Sequence, residues 1–304
     1  MLHALLTLNE QGDFWSQIFG FENYGELLVL VKNSILAGAL LGIVGGLIGP
    51  FVMTRDLAFA VHGVSELSFA GASAALLIGT DVVTGSVVGS LLAALLIGIL
   101  GVKAKERNSI IAVLMPFGLD LGILFLALYK GRSANKFGLL LGQIVSVDNP
   151  QLGMLALISG IVVLGLLIIW RPLSFSSIDA DVARARGVPV TTISILFMIL
   201  LGLATAVSIQ IVGALLVLSL LVTPAAAAMR VTASPLLTPL LSVVFAVVSV
   251  VGGILLALGG GLPISPYVTT ISFLIYVVCR VIGGRRQPRR HPAESPVVPV
   301  RIGP

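Results

Sequence analysis

Charge is what this sequence has least of. Of its 304 residues, 10% are Asp, Glu, Lys or Arg and 57% are hydrophobic, where a soluble domain carries ~25% charged residues. That scarcity excludes an ordinary soluble domain and points to a polytopic membrane protein, since each bilayer crossing takes about 20 mostly apolar residues. Cysteine is nearly absent. The single Cys279 excludes an internal disulfide and a thiolate metal cluster. No Gly-Lys dipeptide occurs, so there is no Walker A phosphate loop and no ATP hydrolysis of the P-loop kind. No His-Glu-x-x-His occurs, so nothing argues for an intramembrane metalloprotease. Residues 1–26 lack a basic leading region and carry Glu10, Asp13, Glu22 and Glu26, which does not read as a secretory signal. Their aromatics (Phe14, Trp15, Phe19, Phe21, Tyr24) suit an N-terminal segment at the membrane interface.

Against this apolar background, residues 57–79, LAFAVHGVSELSFAGASAALLIG, stand out. They read as a membrane span, yet they hold His62 and Glu66. An ionisable side chain inside a bilayer costs at least a few kcal/mol and is tolerated where it faces a bundle interior or an aqueous path. Four residues apart, the two stack on one helix face. Imidazole nitrogen and carboxylate oxygen together can ligate a divalent metal ion, or simply hydrogen-bond to each other and pack. A helical wheel at ~100° per residue puts His62, Glu66, Phe69 and Ser73 on one stripe with Ser65 beside it. Phe69 is a gate candidate by that position, and equally a packing residue. Gly71 falls on the opposite side, where a neighbouring backbone can come close. One helix supplies two donors; a two-fold homodimer would supply two His and two Glu.

The rest of the chain divides into about nine spans, with eight possible if the sixth and seventh do not both cross. The predicted spans are about 27–49, 57–79, 84–102, 109–129, 151–170, 190–208, 211–229, 236–258 and 267–283. In the first, Gly38, Gly42 and Gly46 repeat at four-residue spacing, which permits close helix approach, and Pro50 is read as helping to end it. Asp81 caps the turn after the second. Asp120 lies mid-span in the fourth, as a protonated, paired or pathway carboxylate. The piece 137–146 is too short to span, and Asn149-Pro150 opens the fifth span. The sixth and seventh join at Gln210, and Thr223-Pro224 implies a kink. Residues 171–189 are the most polar internal stretch and predict a short amphipathic surface helix. Ser177 is its N-cap, Asp179 and Asp181 sit in its first turn, Arg184 and Arg186 near its end, and Gly187 stops it before Pro189. It is either a solvated loop or a docking helix for a cytoplasmic partner. Residues 284–304 form a polar, Pro-rich tail with the composition of disorder. With nine spans and the N-terminus outside, fourteen of the eighteen Lys and Arg fall on the cytoplasmic side, so the positive-inside rule favours N-out, C-in. The net charge of +5 then reflects topology rather than nucleic-acid binding.

Three segments carry a family resemblance: FVMTRDLAFAVHGVSELSFAG, SIDADVARARGVPV and VGALLVLSLLVTPAAAAMR. In this order and spacing they resemble the permease subunits of ATP-binding-cassette importers for zinc and manganese, over about residues 27–283. Many members carry an Asp-x-x-x-His pair proposed as metal ligands. The matching positions here are His62 and Glu66, the same chemical types in reversed order. The second segment is similar to the family's coupling helix, which implies that Ser177, Asp179, Asp181, Arg184, Arg186 and Gly187 dock an ATPase. The resemblance implies an all-α bundle of the type II ABC importer kind in the bacterial plasma membrane. It also implies a homodimer, cytoplasmic ATPase subunits that use the ATP, and an extracytoplasmic metal-binding protein, with no intrinsic cofactor. The transported ion would be Zn2+ or Mn2+; a tetrahedral set of two His and two Glu leans to zinc. The alternative is a proton-coupled secondary transporter using Glu66 and Asp120.

Overall fold

A computed structural model describes residues 25, 28, 30–101, 104–131, 147–258 and 264–284. The expected N-terminal interfacial segment, the 137–146 piece and the tail beyond Gly284 lie outside the described residues. Every regular element among the described residues is helical: α1 (Lys32–Thr54), α2 (Ala58–Ile78), α3 (Val82–Leu100), α4 (Ala104–Leu128), α5 (Asn149–Ile178), α6 (Ala180–Ala185), α7 (Val190–Val212), α8 (Ala214–Val231), α9 (Leu237–Ala257) and α10 (Ile264–Gly284). Eight are long and apolar enough to cross a bilayer. The ninth, α8, has 18 residues, about 27 Å of helix.

Contacts along the helices fix their directions. Glycines Gly38, Gly42 and Gly46 of α1 meet Val250, Val247 and Val243 of α9 in reverse order, so α1 and α9 are antiparallel. Gly45 and Gly49 meet Leu220 and Leu221 of α8 in the same order, so α1 and α8 are parallel. Gly98 of α3 lies against Met198 of α7 and Gly202 of α7 against Ser90, so α3 and α7 are antiparallel. The end of α1, the start of α4, the end of α5 and the start of α7 meet at one face, where Arg55 bonds Ser176, Ser177 and Ser194 and Arg107 bonds the Arg55 carbonyl. Gly283 packs on Arg230 at that same face. At the opposite face Asn33 bonds Val147 and Asn149, and Ser265 bonds Val212. The nine long helices therefore alternate in direction, and α8 makes a full return pass. The eight-or-nine ambiguity in the sequence comes from α8 being short, not from α7 and α8 sharing one crossing. Their joint is Gly213, three residues beyond Gln210. Its φ of +80° is a left-handed value that glycine tolerates and L side chains rarely adopt.

The bundle has two halves: α2, α3, α4 and α7 pack together, as do α1, α8, α9 and α10, with α5 against α1 and α7. The small-residue signals in the sequence mark the tightest contacts. A Cβ at Gly42 would lie 2.8 Å from the Val247 Cα, and one at Gly46 would lie 2.6 Å from the Val243 nitrogen. Gly71 faces the Gly85 and Gly89 backbone of α3. Beside that seam Ser68 bonds the Ser86 hydroxyl at 2.8 Å, and Ser86 donates to the Ala206 carbonyl of α7. In membranes such bonds average ~0.6 kcal/mol.

One proline reading changes. Pro50 lies inside α1, which continues to Thr54; its last turn is fastened by the Thr54 hydroxyl on the Pro50 and Phe51 carbonyls. The α5 helix likewise runs through Pro172 to Ile178. Packed membrane helices tolerate proline because neighbours and hydroxyls satisfy the freed backbone groups. Asp81 caps α3 as expected, accepting from the Thr84 nitrogen at 2.8 Å.

Candidate functional site

Helix α2 is flanked on two sides by the tightest partners in its half. Gly63 and Leu67 meet Ile111, Met115 and Gly118 of α4, while Leu67, Gly71 and Ala75 meet Gly85 and Gly89 of α3. Helices α7 and α8 also touch α2, and the stripe's Phe69 lies against α4. Glu66 is buried and His62 half-exposed, with side-chain exposures of 4% and 31%. His62 Nε2 lies 3.6 Å from Glu66 Oε1, an ion-pair distance too long for a hydrogen bond. His62 Nδ1, Glu66 Oε2 and the Ser73 hydroxyl are all buried without a hydrogen-bond partner. An unpaired polar group in a membrane interior is costly.

Phe69 is fully buried against Gly122 of α4; it packs the α2–α4 seam. Ser65 is fully buried. Asp120 is exposed and stands apart. Residues 111, 115, 118 and 122 turn α4 toward α2, and at ~100° per residue Asp120 points nearly the opposite way. It sits on an outer face among exposed Val113, Phe117 and Leu124. Within one protomer it does not join His62 and Glu66. Among the described residues no group of three or more His, Cys, Asp or Glu side chains comes together.

The polar stretch folds differently from its sequence reading in one respect. Ser177 is not an N-cap but belongs to the last turn of α5, where its hydroxyl donates to the Leu173 carbonyl. Asp179 caps α6, accepting from the Asp181 and Val182 nitrogens at 3.0 and 2.9 Å. A short polar side chain there satisfies amides that a six-residue helix leaves open. Asp181 and Arg184 pair at 2.9 Å on the exposed surface, which adds little stability. Arg186 caps the C-terminus and Gly187 follows at φ +82°, as the sequence required.

Comparison with known proteins decides the family. The profile of the ABC 3 transport family matches residues 28–283. The chain belongs to the ABC 3 transport family. It is 31% identical over 225 residues to the manganese transport system membrane protein MntC of Halalkalibacterium halodurans, covering 74% of this chain and 77% of that one. It is 26% identical over 266 residues to the manganese import system permease protein ScaB of Streptococcus parasanguinis, covering 87% and 95%. Among solved structures it resembles PsaBC from Streptococcus pneumoniae in complex with Fab, with TM-score 0.76 and 25% identity over 84% of this chain and 94% of that chain. A metal-chelate type ABC transporter in an inward-facing conformation shares the fold, with TM-score 0.66 at 18% identity over 91% and 97%. This ABC 3 chain is thus a multi-pass permease subunit, not an enzyme.

Sequence reasoning missed what the permease does with Arg55, which it used only as a topology marker. Its guanidinium is bonded to hydroxyls of α5 and α7. The signal available was the run Ser174-Phe-Ser-Ser177, with more hydroxyls than a helix end needs.

Proposed function

We propose that this chain is the permease subunit of an ATP-driven importer of divalent metal ions, with manganese first and zinc second. His62 and Glu66 from each of two copies serve as ligands in the path. The observation that carries the reading is the buried pair with unpartnered Nδ1 and Oε2 atoms in a span that is otherwise apolar. Two donors per protomer make half a coordination set, which favours a homodimer. Donor chemistry alone leans to zinc, whereas the names of the similar importer subunits favour manganese; nitrogen and carboxylate ligands without thiolate suit both. Cytoplasmic ATPase subunits would supply the energy and an extracytoplasmic metal-binding protein the ion.

The charge distribution supports the N-out, C-in orientation. Among the described residues, one face carries Arg55, Arg107, Arg184, Arg186 and Arg230, the other Lys32 and Lys130. The arginine face is then cytoplasmic, which puts α6 where an ATPase can reach it. The proton-coupled alternative loses its geometric basis, because Asp120 points away from Glu66.

Calorimetry on the purified dimer tests the site. Manganese binding is expected for wild type and should be lost in His62→Ala; equal binding by both would remove the pair as the site. Docking is tested by Arg184→Glu with Arg186→Glu, which should assemble poorly with the ATPase and give no metal-stimulated hydrolysis. Normal stimulation in that variant would remove α6 as the docking element.

A further inference from the structure

Arg55 sits in the two-helix turn between α1 and α2, three residues before the helix that bears His62 and Glu66. Its Nε donates to Ser177 Oγ at 2.8 Å and its Nη2 to Ser176 Oγ at 2.6 Å, both in the last turn of α5, immediately before α6. Its Nη1 donates to Ser194 Oγ at 3.0 Å, in the first turns of α7, immediately after α6. The Arg55 guanidinium also lies 5.8 Å from the centre of the Phe197 ring of α7. From the other side Arg107, near the start of α4, donates to the Arg55 carbonyl at 3.4 Å. One side chain thus ties both flanks of α6 to the entry of α2. A planar fork with five donors holds three hydroxyls at fixed, separated positions; an ammonium also has three donors but aims them from a single point on a flexible stem.

The chemistry of this joint is unlike a structural ion pair. Its three side-chain acceptors are neutral hydroxyls. Burial, and the neighbouring Arg107, pull the Arg55 pKa below the usual arginine range. The nearby carboxylate, Asp56, is exposed, and its backbone φ of 52° is a left-handed value unusual outside glycine. A half-buried cation held by neutral hydroxyls, in a turn with a left-handed residue, can exchange one hydroxyl for another when the flanks of α6 shift.

We infer that Arg55 is a positioning residue that transmits movement of the α6 segment to the His62/Glu66 helix. The inference rests on the proposed function, since it needs α6 to dock an ATPase. Two variants test it in the reconstituted complex of chain, ATPase and metal-binding protein. Arg55→Lys keeps the charge but not the fork; Ser176→Ala with Ser194→Ala keeps the arginine but removes two of its acceptors. Both should bind manganese like wild type by calorimetry and assemble with the ATPase. Metal-stimulated hydrolysis should fall about tenfold or more in Arg55→Lys, within the range of a coupling between two sites, and in the same direction in the serine variant. Wild-type stimulation in Arg55→Lys would overturn the inference, as would loss of manganese binding together with stimulation in both variants. If Arg55→Lys fails to assemble, wild-type stimulation in the serine variant overturns it. A wild-type complex that shows no metal-stimulated hydrolysis sinks the proposed function instead, and the inference with it.

Discussion

Glu66→Gln should abolish ATP-driven manganese uptake by the reconstituted complex while leaving the chain folded and dimeric. Glutamine keeps the shape of a side chain that is only 4% exposed, so packing survives. What it removes is the negative charge that a divalent ion requires. Weakening a ligand's supporting contacts alone costs about 10–100-fold in metal affinity, so losing the ligand charge should cost at least about that much. The thermal midpoint should hold or rise, because a neutral amide is cheaper to bury in a bundle than a carboxylate with one oxygen unpartnered. A purely architectural His62–Glu66 pair predicts the reverse pattern. Uptake would then survive and the midpoint would fall, and that result would retire Glu66 as a transport ligand.

Gly46→Val should prevent stable folding, with Gly160→Ala as its internal control. The added Cβ at Gly46 meets the Val243 nitrogen at 2.6 Å and the Ser242 carbonyl carbon at 2.9 Å. Both are backbone, so relief requires moving α9 off α1. Overpacking of yielding side chains costs about 1–3 kcal/mol, and rigid backbone should put the cost at or above that range. Gly160 is helical in α5 with nothing within 4 Å of its would-be Cβ. Alanine there should be neutral or stabilising, by up to about 0.5–1 kcal/mol from helix propensity. Detergent-solubilised midpoints and monodisperse yield measure both. A Gly46→Val chain as stable as wild type would mean that the α1–α9 seam is looser than its glycines imply.

Much of this architecture was legible in the residues themselves. Gly38, Gly42 and Gly46 announced a close approach, and Gly71 announced another on the side of α2 away from His62; both are where backbones meet. Spacing alone put His62, Glu66, Phe69 and Ser73 on one stripe, but not that Phe69 packs against Gly122 of α4. Helix ends were less legible, because proline was read as a terminator. In water a freed carbonyl is an opening for solvent, but inside a bundle it is a local matter for hydroxyls and neighbours, so α1 passes Pro50 and α5 passes Pro172. Ser177 was misplaced for a related reason: a serine before an acidic run looks like a cap, whereas here Asp179 caps and Ser177 receives Arg55. Asp120 could not be placed from spacing, since a wheel shows which residues share a face but not which face meets a neighbour.

Because α1 begins at the face of Asn33 and α10 ends at the face of Arg230, entry and exit of the bundle lie on opposite sides. A tandem gene fusion of two copies with a short soluble linker would insert the second copy upside down. Its His62 and Glu66 would then face the wrong compartment order, and its arginines the wrong leaflet. A single-polypeptide version of the dimer would need one added transmembrane helix between its halves. The odd number of passes among the described residues therefore favours keeping the two copies of the proposed dimer as separate chains.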